Sequence, residues 1–179
     1  MGNKFIAGNP NLCIGCGTCM AACMMEHPPI DGVPIPRLAL IKTRQTSVPI
    51  SCHHCQDAPC VASCPEQALY YEGTRVEVRE NRCIGCSSCV LACPYGAIEI
   101  VLTTSTKTIG GVVYQNSRKP YVLKCDLCVS KPEGPACVST CLTKSLKIVD
   151  EASIKTSTQD KRVKAAQAAE IAASQFELA

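Results

Sequence analysis

Short apolar segments, each bordered by polar or turn-forming residues, recur along the chain. Segments of this length are typical of short β-strands. The predicted strands cover residues 5–7, 68–71, 75–78, 97–102 and 146–149. The tripeptide Glu72-Gly73-Thr74 predicts a hairpin turn between the second and third of these strands. No apolar run approaches the roughly 20 residues of a membrane span.

Two longer connectors interrupt this pattern. Residues 27–34 form a predicted proline-rich turn, which is followed by an extended stretch at residues 37–43. Residues 103–117 carry the pair Gly110-Gly111, and this pair predicts a surface hairpin inserted into the chain. Both connectors are therefore expected to have some structure of their own.

The last part of the chain changes to an alanine-rich composition without Gly or Pro. Residues 158–179 predict a helix of roughly 20 residues, about 30 Å long. Its only large apolar residues are Val163, Ile171, Phe176 and Leu178, which give a weak apolar stripe. The helix either lies on its own domain or frays, or it docks onto a neighbouring subunit.

The cysteine pattern changes this picture most. The chain has 179 residues and 16 cysteines, with only two Phe, five Tyr and no Trp, so a conventional core would be thin. This length fits one large or two small domains. The cysteines form four groups of four with none left over, at positions 13/16/19/23, 52/55/60/64, 83/86/89/93 and 125/128/137/141.

The spacing within the groups indicates iron-sulfur chemistry. The first and third groups share the pattern C-x2-C-x2-C-x3-C, in which a curled loop brings three thiolates to one iron cube. Gly15 and Gly85 supply the permissive backbone that such a curl needs. The second and fourth groups widen the middle gap to four and eight residues. Four groups predict four [4Fe-4S] clusters, and these clusters would replace part of the missing core.

Zinc is the alternative metal, because paired C-x2-C motifs also form four-thiolate zinc sites. Zinc sites separate their two pairs by a longer loop, so the observed spacing favours iron-sulfur clusters.

Abundant cysteine without a secretory leader also favours metal binding in a soluble, cytoplasmic protein, although export with a signal-bearing partner stays an alternative. Sixteen thiolates and four oxidised cores of +2 change the formal charge from +3 to −5, which argues against nucleic-acid binding.

The proline pattern predicts which cysteines share a cluster. In two-cluster ferredoxins the fourth cysteine, which is followed by proline, binds the other cluster. Cys64-Pro65 and Cys93-Pro94 fit this rule, so groups two and three are expected to exchange their last cysteines. Groups one and four then pair with each other, although no proline follows their fourth cysteines. The predicted sites are Cys13, Cys16, Cys19 with Cys141; Cys125, Cys128, Cys137 with Cys23; Cys52, Cys55, Cys60 with Cys93; and Cys83, Cys86, Cys89 with Cys64.

The predicted fold class is α+β, with two interleaved bacterial-ferredoxin-like modules and a C-terminal helix. Module A comprises residues 1–50 with 118–150, and module B comprises residues 51–102. Residues 103–117 form the hairpin insertion, and residues 158–179 serve packing or assembly.

Three further residues near the cysteines are candidates for a role. His53 and His54 could be Rieske-like ligands, but a full set of cysteines favours spacer residues. Lys124, beside Cys125, either raises a local reduction potential or is a solvated lysine. No nucleophile with a base, phosphate loop or flavin fingerprint is present, so the sequence predicts no catalytic site.

The motifs CHHCQDAPC in the second group and KCDLC…GPAC in the fourth resemble a known family. This family comprises the four-cluster electron-transfer subunits of molybdopterin oxidoreductases and hydrogenase complexes. They include the beta subunits of formate dehydrogenase and dimethyl sulfoxide reductase and the small subunits of formate hydrogenlyase. The chain is most similar to the soluble formate hydrogenlyase type, because it lacks a C-terminal membrane anchor.

The resemblance implies a non-catalytic subunit that relays electrons between a molybdenum or tungsten formate dehydrogenase and a hydrogenase or another iron-sulfur subunit. Hydrogen-dependent CO2 reductase uses subunits of this kind, so the C-terminal helix could serve self-association there. The alternative is a free polyferredoxin carrier, or an accessory protein that supplies clusters during maturation.

Overall fold

The computed structural model describes residues 3–176, and the side chains of residues 105–109, 113–117 and 175–176 lie outside the description. Short strands and short helices alternate up to a long final helix. The strands are β1 (Phe5–Gly8), β2 (Ala39–Lys42), β3 (Ser47–Ile50), β4 (Leu69–Glu72), β5 (Arg75–Val78), β6 (Glu99–Ile109), β7 (Val112–Leu123) and β8 (Leu146–Val149). The helices are α1 (Thr18–Glu26), α2 (Pro59–Ala62), α3 (Ser88–Ala92), α4 (Ala136–Ser139) and α5 (Glu151–Phe176), with a 3₁₀ turn at Glu80–Arg82.

In the described part of the chain, the strands form two-stranded antiparallel sheets that pair β1 with β8, β2 with β3, β4 with β5, and β6 with β7. The β1–β8 pair joins the two ends of the body, with Phe5 opposite Val149. Helix α1 packs against α4, and α2 packs against α3. This mixture of short helices and antiparallel strands is the α+β architecture that the sequence predicts for ferredoxin-like domains.

Most predicted strands lie at or within one residue of their observed positions. The strands predicted at residues 75–78 and 146–149 have the observed bounds, and the turn at Gly73 has a positive φ of 62°. The prediction for residues 97–102 is wrong in extent, because β6 begins at Glu99 and continues to Ile109. The predicted hairpin at residues 103–117 is the outer part of this same ladder, which pairs Glu99 with Leu123 at its inner end.

Two groups of buried residues form the interior. The end core contains Ile6, Leu38, Leu146 and five cysteines: Cys19, Cys23, Cys52, Cys125 and Cys137. The middle core contains Ala58, Leu69, Val76, Ile98 and Val122 with two cysteines, Cys60 and Cys89. Because so many core members are cysteines, the interior and the candidate metal sites are the same part of the molecule.

Helix α5 begins seven residues earlier than the predicted start at residue 158. The reason is a reciprocal cap that the sequence reasoning missed: the Ser153 N–H donates to Asp150 Oδ1 at 2.8 Å, and the Asp150 N–H donates to Ser153 Oγ at 2.9 Å. Residues 177–179 of the prediction lie outside the described residues. Every side chain from residue 151 to 174 is exposed, so the helix buries no face on the described body.

Within the described residues, no helix combines the length and the apolar character that crossing a membrane requires.

Candidate iron-sulfur sites

Two cavities are each lined by four cysteines that come from two different groups. One cavity is bordered by Cys83, Cys86 and Cys89 of the third group and by Cys64 of the second group. The other is bordered by Cys13, Cys16 and Cys19 of the first group and by Cys141 of the fourth group. In both cavities, three local thiols converge with one thiol from a distant part of the chain.

The remaining eight thiols show the same grouping through their electrostatics. Burial first, and then the neighbouring thiols of Cys52, Cys93 and Cys55, raise the pKa of the Cys60 thiol to about 11. Here the third local thiol of group two lies among its two group partners and the last cysteine of group three.

The third thiol of group four has a corresponding set of neighbours. Burial first, and then the neighbouring thiols of Cys125, Cys128, Cys23 and Cys19, raise the pKa of the Cys137 thiol to about 12. A buried cluster of thiols is costly to ionise alone, because burial disfavours each thiolate and the thiolates repel one another. Binding a metal cation removes this cost, since a coordinating thiol is deprotonated outright.

All four cysteine loops curl at the same place. The residue before the second cysteine has a positive φ in every group: 68° at Gly15, 45° at His54, 73° at Gly85 and 62° at Leu127. The sequence reasoning found this position only where it is glycine. His54 and Leu127 carry side chains that rarely adopt this conformation, so their loops hold a strained backbone. The four loops therefore share one backbone conformation at this position, as expected for a repeated structural motif.

Backbone N–H groups donate to several cysteine sulfurs. Ala68 N–H donates to Cys64 Sγ at 3.2 Å, and Ala97 N–H donates to Cys93 Sγ at 3.4 Å, so each donor lies four residues after its cysteine. Cys23 Sγ accepts instead from the distant Arg37 N–H at 3.2 Å. Hydrogen bonds of this kind stabilise a thiolate and tune a bound cluster.

Two histidines fill the second loop without pointing to a ligand role. The His53 ring is stacked between Phe5 and Tyr95, with ring centroids 4.4 Å and 3.7 Å apart. The His54 ring is fully buried, and its Nδ1 accepts a hydrogen bond from Val76 N–H at 3.1 Å. Burial and the Lys124 charge lower the pKa of His54 to about 3, so its imidazole is neutral. Both rings pack the loop into its surroundings.

A network of hydrogen bonds and ion pairs, which the sequence analysis did not predict, joins the segment after group one to group four. Asp126 accepts from Arg37 Nη1 and from His27 Nε2, the latter at 3.1 Å. The bond with Asp126 raises the pKa of His27 to about 12, so this imidazole is protonated and cannot bind a metal. Burial opposes ionisation of Asp126, but His27 and Arg37 outweigh it and hold its pKa below the usual range.

Lys124 is buried, with 4% of its surface exposed, so the prediction of a solvated lysine is wrong. Its Nζ donates to the Cys125 carbonyl oxygen at 2.9 Å, and no carboxylate lies within ion-pair distance among the described residues. Burial raises the pKa of Cys52, and the Lys124 charge opposes this rise. A buried ammonium needs an anion nearby.

These features fit [4Fe-4S] clusters. The structure offers two cavities that are each lined by four thiols, two further groups of neighbouring thiols, and backbone donors to sulfur. It also offers a buried lysine with no carboxylate within ion-pair distance among the described residues. A cluster held by four thiolates is anionic, so it would satisfy Lys124 as well as the thiols.

Comparisons with known proteins agree with this chemistry. Two profiles of the 4Fe-4S dicluster domain match residues 12–69 and residues 51–97. The chain is 36% identical to "Electron transport protein HydN" of Escherichia coli over 89% of this chain and 95% of that protein. It is 35% identical to "Formate hydrogenlyase subunit 2" of the same species, over 89% of this chain and 88% of that one. It is also 37% identical to "Putative oxidoreductase AegA", over 92% of this chain but only 24% of that longer protein.

Proposed function

Because this chain belongs to the family of 4Fe-4S electron-transfer proteins that includes the electron transport protein HydN and subunit 2 of formate hydrogenlyase, we propose that it is a non-catalytic subunit that relays electrons through four [4Fe-4S] clusters. Each cluster, when bound, supplies a one-electron redox couple. The chain's own residues would hold the clusters in place, exclude water from them and set their reduction potentials.

The convergence of three local thiols with one distant thiol is the observation that carries this proposal. The proposed ligand sets are those of the two cavities and of the two electrostatic groupings: Cys13, Cys16, Cys19, Cys141; Cys23, Cys125, Cys128, Cys137; Cys52, Cys55, Cys60, Cys93; and Cys64, Cys83, Cys86, Cys89. Each set then links two parts of the chain. Module A would hold the first two sets and module B the last two.

Burial in shared cores supports a linear order. Cys19 of the first set, Cys125 and Cys137 of the second set, and Cys52 of the third set lie in the end core, whereas Cys60 of the third set and Cys89 of the fourth set lie in the middle core. The electrostatic influence of Cys19 on Cys137, and of Cys52 on Cys125, agrees with this order. The Cys125 set and the Cys52 set are therefore the two central sites of the proposed path. The Cys13 set and the Cys83 set are the two outer sites.

Electrons would enter and leave at the two outer sites. Cys16 and Cys86 are the two exposed cysteines, and they belong to the two outer sets. Each is preceded in its loop by an exposed isoleucine, Ile14 or Ile84. An apolar surface beside an exposed ligand suits a protein partner that brings its own redox group close.

The proposed partners are a molybdopterin formate dehydrogenase-type catalytic subunit at one end and a hydrogenase or another iron-sulfur subunit at the other. The relatives named "Formate hydrogenlyase subunit 2" and "Hydrogenase-4 component A" support this choice. Helix α5 is proposed to mediate assembly or self-association, because it exposes its apolar residues Val163 and Ile171.

A free electron carrier or a maturation protein is the second candidate. The relative with 95% of its length covered is named an electron transport protein, and its name places it in no complex. A free carrier would exchange electrons with several enzymes through the same exposed loops.

Anaerobic purification of the native protein from its own organism tests both candidates. We expect about 16 iron and 16 sulfide atoms per chain, and co-elution with a large catalytic subunit in a fixed ratio. Elution alone with full iron content would favour the free carrier. A colourless protein with zinc in place of iron would overturn the electron-transfer proposal.

A further inference from the structure

Lys124 occupies the junction between the two cores. It follows the last residue of β7, and Val122 of this strand packs in the middle core. The next residue, Cys125, packs in the end core together with Cys52. The Lys124 side chain is buried at this junction and donates to the Cys125 carbonyl oxygen.

The carboxylates of the described residues do not compensate this charge. Asp126 is close in sequence, but Arg37 and His27 already engage its carboxylate. The His54 imidazole, which also experiences the Lys124 charge, is a neutral group and cannot balance it. Two thiols lie near the ammonium by geometry: Lys124 Nζ donates to the carbonyl oxygen of Cys125, and Cys52 shares the end core with Cys125. The Lys124 charge also lowers the pKa of both thiols, against the effect of burial.

These two thiols belong to different proposed sites. Cys52 belongs to the set with Cys55, Cys60 and Cys93, and Cys125 belongs to the set with Cys23, Cys128 and Cys137. One buried cation therefore faces one ligand of each central site. In the described residues, neither outer set has a buried lysine or arginine.

On the basis of the proposed function, we propose that Lys124 is a positioning residue that raises the reduction potentials of the two central sites relative to the two outer ones. When it holds a cluster, each central site would accept one electron from a neighbouring site and pass one on. Its negative charge would rise by one and then fall by one, with no bond made or broken. A fixed cation nearby stabilises the more negative state. Because Lys124 lies between the Cys52 set and the Cys125 set, its charge raises the reduction potential of both.

The test is a redox titration of the anaerobic full-length protein, followed by electron paramagnetic resonance, in wild type and Lys124→Met. We expect two of the four couples to shift to lower potential. At the wild-type midpoint, the ratio of reduced to oxidised protein should fall about tenfold for these two couples, which is about 59 mV for one electron. Lys124→Arg keeps the charge and should stay within about twofold of wild type.

Lys147→Met is the matched control. Lys147 is exposed on β8, so this substitution removes the same positive charge from the surface and not from a buried position. It should leave all four couples unchanged. Unchanged couples in a fully loaded Lys124→Met protein, or equal shifts of all four, would overturn the proposal. So would a Lys147→Met protein that shifts as much as Lys124→Met.

Loading supplies a second measurement if Lys124→Met does not assemble. Lys124→Gln keeps a hydrogen-bond donor but removes the charge. Full iron content in Lys124→Arg, with iron lost in both neutral variants, would support a charge-compensating role. Iron lost in Lys124→Arg as well would show that the lysine is needed only for its shape. Fewer than four couples in wild type would contradict the proposed function and not the role of Lys124.

Discussion

The end core and the middle core surround the same kind of cysteine loop, but the chain builds them by different routes. The middle core draws mainly on residues 58–98, which include α2, the β4–β5 hairpin and α3, and Val122 of β7 joins them. The end core depends on the pairing of β1 with β8, whose residues are separated by most of the chain. Closing such a long loop costs more conformational entropy before any contact forms.

The polar contacts differ in the same way. In the middle region, Arg75 pairs with Glu72 and Glu77 on its own hairpin. In the end region, Arg37 and His27 reach Asp126, which lies 89 and 99 residues away in sequence. The middle region is thus specified mainly by local sequence, whereas the end region needs the two ends of the chain to meet. Variants matched between the two regions test this difference.

The largest expected effect comes from removing one distant thiol. In Cys23→Ser, we expect the loss of one cluster and free thiols at Cys125, Cys128 and Cys137, because these would share its site. Alkylation of the folded, anaerobic protein followed by mass spectrometry identifies which thiols become reactive. Cys64→Ser is the matched variant in the middle region and should free Cys83, Cys86 and Cys89. Free Cys13, Cys16 and Cys19 in Cys23→Ser would refute the crossed arrangement.

A smaller effect is expected from one deleted core side chain in each region. Leu146→Ala in the end core and Leu69→Ala in the middle core should each cost about 2–5 kcal/mol, since both leucines are buried. Hydrogen exchange should show faster exchange in β1 and β8 for Leu146→Ala, and in β4 and β5 for Leu69→Ala. Equal acceleration in both regions by either variant would mean that the two cores unfold as one unit.

The long-range ion pairs should contribute less than the core side chains. Asp126→Asn leaves Arg37 and the protonated His27 without a carboxylate, which should cost about 1–3 kcal/mol. Glu77→Gln removes one partner of the local Arg75 pairs and should cost less than about 1 kcal/mol. Urea unfolding of the loaded proteins, monitored by cluster absorbance, measures both. A larger cost for Glu77→Gln would reverse the ranking of local and long-range pairs.

The smallest effect on the body is expected from the helix that belongs to neither core. Deleting residues 158–179 should change the stability of the body by less than about 0.5 kcal/mol, because the described side chains of α5 from residue 151 to 174 are exposed. Light scattering on the same protein tests the assembly role. A smaller assembly than wild type supports that role, and an unchanged assembly size contradicts it.

The chemistry of the site was largely predictable from sequence, because thiol count and spacing are properties of the chain itself. The loops of the first and third groups were also predictable, since Gly15 and Gly85 mark the curl. The same curl at His54 and Leu127 was not predictable, because neither residue favours a positive φ. Only the surrounding contacts hold those two loops in a strained conformation.

Two element boundaries differ from the prediction for different reasons. The sequence separates the strand at residues 97–102 from the hairpin at 103–117, but β6 and β7 form one ladder, because β6 keeps pairing beyond residue 102. The start of α5 had a sequence signal in Asp150 and Ser153, which form the cap. This signal could have been found by looking for a polar residue three positions before another at the start of an alanine-rich stretch.

The number of thiols, their division into loops and the short strands between them follow from local spacing along the chain. What lies between the loops depends on how the chain folds. Folding buries Lys124 with no carboxylate within ion-pair distance among the described residues, engages Asp126 with two distant cations and leaves the described side chains of α5 exposed. The physical reason is that burial and charge compensation depend on which distant segments meet, and residue spacing along the chain does not encode those distances.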